Sequence, residues 1–516
     1  MRNLLTIERI FSVAFRSRNK SKNAIFTERQ VPPTFVSMLR FTVVLFVIGA
    51  SPIIGSTVDA AQPIPNVLLI VSDDQRPDTI AALGNDVIQT PNLDSLVRRS
   101  SLFTRAVCAN PICTPSRGEI LSGCSGFRTG VLDFGGKQPP GFVSFAETMQ
   151  RGGYQTSYVG KWHNKGRPSD YGYQTTVGLF SGGGAKWMKP NQVDAHGRPM
   201  TGYTGWIFQS SDGKEKYPDR GVGLTSDISK KFADASIKQI KTPHQKPFFM
   251  HVNFTAPHDP LLLPPGFENT YDPSSMPLPT NFRTSHPFDH GNRDSRDELL
   301  LPSPRTEKDV REDLAVYYAV ISHLDQQIGR ILKALDDSGE RDNTIVIFTS
   351  DHGLAMGSHG LRGKQNMYEH TMNVPMLISG PGIPANQRFN AQMYLRDVYP
   401  TVCDLVGIPV PDAPASAGKP LPIDGRSMVP VMRGEQDQIH EYVFGYFRNF
   451  QRMIRGDRWK LIHYPQIDKW QLFDLQNDPF ELKNVADAPS HAAVLEDLQT
   501  KLRDWQNQVG DPLVSS

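Results

Sequence analysis

The chain has 516 residues, 38% hydrophobic and 21% charged, the balance of a folded water-soluble protein too long for one ordinary core. Its formal charge of +2 conceals an asymmetry: residues 1–60 hold eight Lys/Arg against three Asp/Glu, leaving 47 basic and 50 acidic residues in the remainder. A slightly acidic body excludes a broad nucleic-acid surface, and four cysteines are too few for a disulfide scaffold.

The N-terminus reads as an export leader. Phe41 to Ala50 is an apolar run of signal-peptide length, preceded by Arg40 and followed by Val58-Asp59-Ala60 as a small-residue cleavage site. Pro52, Gly55 and Ser56 interrupt the run before the ~20 apolar residues of a spanning helix accumulate. The 37 residues ahead of Met38 are long for a signal's basic region, so Met38 is an alternative start, with a long basic leader or an uncleaved anchor as the other readings. The expected division is a leader over 1–60, a catalytic domain over 61–410, a connecting segment over 411–440 and a C-terminal subdomain over 441–516. The expected destination is a periplasm or the outside, with no stable membrane partner.

Asn66 to Ser72 is a short apolar run ending in Asp73-Asp74, the pattern of a buried parallel strand. Ligand sites of open α/β sheets lie at such strand ends. On its own the pair is either a solvated turn or half of a cation site, since adjacent carboxylates are costly without a cation. Thr90-Pro91 then caps a helix running to Arg99.

Cys113-Thr114-Pro115-Ser116-Arg117 follows, with Leu121-Ser122-Gly123 downstream. Pro115 or Ser116 is expected to open a short helix, which places residue 113 just ahead of a helix N-terminus suited to an anion. Arg117, one turn in, offers a rigid fork of donors to an oxyanion. Cys108, Cys113 and Cys124 lack the paired C-x-x-C spacing of a zinc site. With Cys113 in use, Cys108, Cys124 and Cys403 allow at most one disulfide.

Further along, a strand from Tyr154 ends in Gly160-Lys161-Trp162-His163, and Phe248 to Phe254 ends in Thr255-Ala256-Pro257-His258-Asp259-Pro260. Leu314 to Leu335 has helical apolar spacing, and Asn343 to Ser350 is a β-branched run closed by Asp351-His352-Gly353. Gly363-Lys364 to Glu369 comes next. Two polar loops, Phe180 to Thr204 and Asn281 to Arg311, are long enough to be functional, and are either walls of a substrate cleft or flexible surface insertions. Past residue 410, Pro and Gly thicken, and short runs at 442–447, 459–464 and 471–474 read as a small antiparallel sheet closed by a helix from His491 to Val509. Strands alternating with helices predict an α/β fold, a large mostly parallel sheet sandwiched by helices, with a smaller α+β C-terminal subdomain.

These segments, in this order over about residues 64–510, resemble the type I sulfatases of the alkaline phosphatase-like superfamily, whose signature is C-x-P-S-R followed by x-x-x-L-[ST]-G. The turn Asp474-Leu-Gln-Asn-Asp478-Pro479-Phe-Glu481 resembles one common near sulfatase C-termini. The resemblance implies that a maturation enzyme converts Cys113 into formylglycine, whose hydrate is the nucleophile. It implies a divalent cation, usually calcium with magnesium the alternative, held by Asp73, Asp74, Asp351 and His352 with residue 113 beside it. The oxygen donors suit a hard ion and the imidazole less so, which leaves the metal's identity open. Lys161, Lys364 and Arg117 would hold sulfate oxygens, His258 would protonate the leaving alcohol, Asp351 would assist deprotonation of the attacking oxygen, and His163 would act on the second hydroxyl. The implied substrate is a sulfated carbohydrate. The alternatives are a phosphonate monoester or phosphodiester hydrolase of the same superfamily, or a silent sulfatase-like glycan-binding protein.

Overall fold

In the computed structural model, residues 63–415 and 419–514 are described, so the leader expected over 1–60 lies outside them. Ten strands build the main sheet: β1 Asn66–Ser72, β2 Ser101–Val107, β3 Gln155–Lys161, β4 Thr175–Gly182, β5 Trp206–Phe208, β6 Phe248–Asn253, β7 Thr344–Ser350, β8 Asn373–Val374, β9 Met376–Ser379 and β10 Gln387–Tyr394. Their order is β10-β2-β9-β7-β1-β6-β3-β4-β5, with β8 beside β2. The central run β7-β1-β6-β3-β4 is parallel throughout, as the apolar runs ending in polar residues predict.

Register sets where the site forms. Ser72 pairs with Ser350, Val71 with Asn253, and Gly160 with Asn253. Asp73, Asp351, Asn253 and Lys161 therefore arrive at one edge together. Along β1, Val67, Leu69 and Val71 enter one core while Leu68 and Ile70 enter the other, the period-2 alternation of a strand covered on both faces. Each such side chain contributes about 1.5–3 kcal/mol by burial.

Helices cover both faces. Ile228–Ile240 and the 31-residue helix Glu307–Asp337 pack against the Leu68 face through Phe232, Ile240, Leu324, Ile328 and Ile331. The long helix begins ahead of the apolar spacing that predicts it, because Thr306 and Asp309 form a reciprocal capping box. It thereby takes the last residues of the expected 281–311 loop, just as β4 takes the first residues of the expected 180–204 loop.

The second sheet is antiparallel, in the order β11 Val443–Phe447, β12 Gln451–Arg455, β13 Trp459–Tyr464 and β14 Lys469–Asp474, with the helix Ala492–Val509 behind it. One face shares the core of the main sheet through Val443, Phe447, Met453, Ile462 and Phe473. The other buries Ile454, Leu461 and Leu472 against Leu498 and Leu502. Residues Gln62–Ser516 form one compact unit. All four cysteines are buried and free, and among the described residues no helix is long and apolar enough to cross a membrane.

Candidate active site

The helix carrying the cysteine motif spans Cys113–Ser122, with Ile112 as its N-cap and Ser116 N–H donating to the Ile112 carbonyl at 3.0 Å. Cys113 is therefore the first helical residue, a correction to the expected start at Pro115 or Ser116. A proline in the first turn costs nothing, since its missing N–H would have no partner within the helix. The Thr114 hydroxyl donates to the His163 carbonyl at 2.8 Å, and Ser116 Oγ donates to the Asp351 carbonyl at 2.6 Å. Both bonds tie the helix start to strand ends of the sheet.

Around Cys113 Sγ lie Asp73 Oδ1 at 3.5 Å, His352 Nε2 at 3.4 Å and Lys364 Nζ at 3.6 Å. Adjacent strand residues point to opposite faces, and Asp74 escapes that rule by a left-handed φ of +66°. Asp74 N–H donates to Asp351 Oδ1 at 3.2 Å, and its carbonyl accepts from Tyr317 Oη at 2.6 Å. Lys161 reaches the site through Gly160, where φ is +95° and a Cβ would meet the Asn253 carbonyl at 2.1 Å. Only glycine permits that approach.

Three cations balance the acids. Lys161 Nζ lies 2.5 Å from Asp73 Oδ2, and Lys364 Nζ lies 2.8 Å and 3.0 Å from the two oxygens of Asp74. Arg117 Nε donates to Asp351 Oδ2 at 2.9 Å, with another guanidinium nitrogen 3.4 Å from Asp73 Oδ1. His352 Nδ1 sits 3.2 Å from Asp74 Oδ1. Arg117 and Lys161 are thus committed to carboxylates, while Lys364 also lines the adjoining pocket.

Burial opposes ionisation of both aspartates, but with different results. Lys161, His258, Arg117 and Lys364 overcome it at Asp73 and hold that carboxyl well below the usual range. At Asp74, burial together with the neighbouring Asp73 and Asp351 outweighs Lys364 and raises the carboxyl well above it. Like charges gathered in a dry place fit a bound divalent cation. The ligand atoms of Asp73, Cys113, Asp351 and His352 all lie within 4.8 Å of one another, as do those of Asp74, Cys113 and His258.

His258 and His163 complete the group. His258 Nδ1–H donates to the Asp259 backbone carbonyl, which leaves Nε2 facing the site 3.8 Å from Asp74 Oδ2. The His163 ring meets Trp206 edge-on at 4.9 Å. Burial depresses both imidazoles well below their ordinary value, with Lys364 adding to it at His258 and Lys161 at His163. The structure therefore brings together all ten residues singled out from sequence.

Above them opens a pocket of about 390 Å³. His163, Tyr203, Trp206 and Phe134 give it an aromatic side, and Asn292, Arg296, Gln365 and Arg448 a polar one. Both long loops contribute, through Thr201 to Tyr203 and through Asn292 to Asp297. Lys186, Trp187, His286 and His290 are not among its walls.

With this geometry in place, comparison with known proteins decides the family. The sulfatase family model matches residues 65–408, about two thirds of the chain. The chain belongs to the sulfatase family. Its activity class is accordingly that of a sulfuric ester hydrolase. A second model, described as the C-terminal part of N-sulphoglucosamine sulphohydrolase, matches residues 357–508 and so takes in the small sheet. A choline-sulfatase of Rhizobium meliloti is 29% identical over 442 residues, covering 82% of this chain and 83% of that one. An N-acetylglucosamine-6-O-sulfatase of Bacteroides thetaiotaomicron is 26% identical over 514 residues, covering 87% of each. Among solved structures, the phosphonate monoester hydrolase of Agrobacterium radiobacter superposes with a TM-score of 0.71 at 25% identity, covering 86% of this chain and 96% of that one.

Sequence reasoning missed several residues of this sulfatase's site. Tyr203 donates to Asp73 Oδ2 at 3.0 Å, and Asn253 Oδ1 accepts from Arg117 at 2.5 Å. Asn253 carried a usable signal, a polar residue ending an apolar strand beside the Asp73 strand. Tyr203, Phe134 and Arg448 stand in loops and turns with no motif around them.

Proposed function

We propose that the chain is an exported sulfatase that hydrolyses sulfate monoesters of a sulfated carbohydrate, using a formylglycine made from Cys113 and a bound divalent cation. The observation that carries this reading is the position of residue 113. It is the first residue of a buried helix, 3.4–3.6 Å from Asp73, His352 and Lys364, the last of which lines the open pocket.

A thiol at this place is ill suited to attack. Burial raises the Cys113 thiol far above its usual value, against the pull of Lys161 and Lys364. The thiolate is the nucleophilic form, and it is scarce here at neutral pH. A hydrated formylglycine supplies two hydroxyls on one carbon, one to attack and one to expel sulfate. Asp73, Asp74, Asp351 and His352 would hold the cation, which would supply positive charge to the sulfuryl oxygens.

The chain's own groups do the rest. Lys364, between Asp74 and the pocket, holds a sulfate oxygen in a dry, preorganised place. Arg117 locks Asp351 and Asp73 in register with residue 113. His258, oriented through Nδ1, takes up a proton from solvent at Nε2 and gives it to the leaving alcohol's oxygen. His163, kept neutral by burial, accepts a proton at a ring nitrogen on the aromatic side.

The pocket supports the carbohydrate reading: its volume suits a saccharide unit, with an aromatic wall facing side chains that hydrogen-bond hydroxyls. The similarity to an N-acetylglucosamine-6-O-sulfatase points the same way. The similarity to a phosphonate monoester hydrolase keeps that ester class as the second reading.

Tryptic mass spectrometry of the peptide containing residue 113, on protein from its native host, tests the nucleophile. Formylglycine is expected, and an intact thiol in an active enzyme would overturn the mechanism. Turnover of sulfate monoesters, phosphonate monoesters and phosphodiesters by one preparation ranks the two readings. N-terminal sequencing of the mature protein, expected to begin near residue 60, tests export.

A further inference from the structure

At the end of the sheet opposite the catalytic edge lies a second pocket, of about 330 Å³. Arg98, Arg99, Arg341, Asp342, Thr344 and Ser379 are among its walls. Thr344 opens β7 and Asp351 follows its other end, so roughly 20 Å of strand separates this pocket from Cys113.

Arg98 and Arg99 alone would need no ligand. They end the helix Pro91–Arg98, where basic side chains complement the helix dipole. Arg341 is different. Its side chain is only 10% exposed, and its nearest carboxylate, Asp336, stands 4.0 Å from Nε. Its Nη1 is buried without a hydrogen-bond partner among the described residues. A buried guanidinium nitrogen left unpaired is costly, and here Arg99 adds like charge to burial. Neither Arg98 nor Arg99 has an ion pair among the described residues, and Asp342, exposed on the rim, is unpaired as well.

We propose that this pocket is a second oxyanion site, in which Arg341, flanked by Arg98 and Arg99, holds a sulfate group. A tetrahedral oxyanion meets the guanidinium fork with paired acceptors. The choice of sulfate rests on the proposed function, whereas the oxyanion chemistry does not. Two sources present the same group: inorganic sulfate released by the reaction, or a sulfate ester on another unit of a polymeric substrate.

Crystals of the full chain soaked in selenate, read by anomalous diffraction, test the site without any turnover. A peak within hydrogen-bond distance of the Arg341 guanidinium is expected, and the absence of one there overturns the proposal. In solution, equilibrium dialysis with sulfate should show affinity at this site falling about tenfold in Arg341→Gln. The double variant Arg98→Gln/Arg99→Gln, at exposed positions, should weaken it as well if Arg341 proves indispensable to folding. Both variants should turn over a small sulfate ester as the parent does. A KM raised about tenfold on a sulfated polysaccharide alone assigns the site to substrate esters; an unchanged KM with lost selenate binding assigns it to free sulfate. Either pattern supports the site. An enzyme inactive on sulfate esters would sink the earlier reading and leave the selenate result standing.

Discussion

The Tyr203 hydroxyl donates to the same Asp73 oxygen that Lys161 holds, at 3.0 Å and 2.5 Å respectively. Tyr203 also turns its ring edge-on to His258 at 4.7 Å. One loop residue thereby restrains both an acid of the cation site and a proton-exchanging imidazole. Hydrogen bonds to charged groups are worth about 1.5–3 kcal/mol. Tyr203→Phe should lower kcat/KM on a sulfate ester by roughly tenfold or more and weaken cation affinity, with melting temperature little changed. Unaltered kinetics would reduce the hydroxyl to packing.

Treatment with a chelator should abolish sulfate ester turnover, and Ca²⁺ or Mg²⁺ should restore it. Asp351→Asn removes a charge from the donor set and breaks the Arg117 ion pair. It should bind less than stoichiometric metal by elemental analysis even at millimolar cation. Full metal content in that variant would exclude Asp351 as a ligand.

A third expectation concerns acid. His286 is pulled down to about 4, and His290 and His359 to about 3, each chiefly by burial. The folded chain keeps these rings neutral while the unfolded chain protonates them below about 6.5. Their contribution to stability is therefore complete above pH ~6.5 and is lost as pH falls from there toward ~3–4. Each ring costs up to about 1.4 kcal/mol per pH unit in that window. Both nitrogens of His290 lack partners among the described residues, so His290→Leu sacrifices no hydrogen bond. It should narrow the gap between melting temperatures at pH 7.5 and 5.0; an identical gap would show that His290 does not titrate on unfolding.

Gln451 braces the pocket from the small sheet. Its Nε2 donates to the backbone carbonyls of His290 at 3.0 Å and Gln365 at 3.3 Å, joining two segments that lead into the polar wall. Gln451→Leu should raise KM about tenfold while leaving kcat within about twofold, because the groups that make and break bonds are untouched. An equal loss in both parameters would place its influence on the chemistry itself.

Most of the reacting groups were legible because they stand near the end of an apolar strand or at the start of a helix, where local pattern and local structure coincide, whereas Lys364, in the loop between Ser350 and Glu369, was marked only by its motif. What escaped depends on partners distant in sequence. β12 went unread because Gln451-Arg452-Met453-Ile454-Arg455 looks like a surface segment. In the fold Arg452 is buried against Asp511 and Arg455 against Glu369. Tyr203 has no periodicity to mark it, and its role exists only once the loop lies across Asp73. The helix start at residue 113 was misplaced because Pro115 reads as an opening residue, although a first turn accepts it two positions in.

Four parallel strands deliver Lys161, Asn253, Asp73 and Asp351 to one level, fixed by pairings such as Ser72 with Ser350 and Gly160 with Asn253. A one-residue insertion in any of them would displace its cargo by about 3.3 Å and turn it to the other face. Divergence among relatives should accordingly spare the lengths of these strands and accumulate as gains and losses in the segments carrying Phe134, Tyr203 and Asn292. The chemistry is inherited as spacing, and selectivity is free to drift around it.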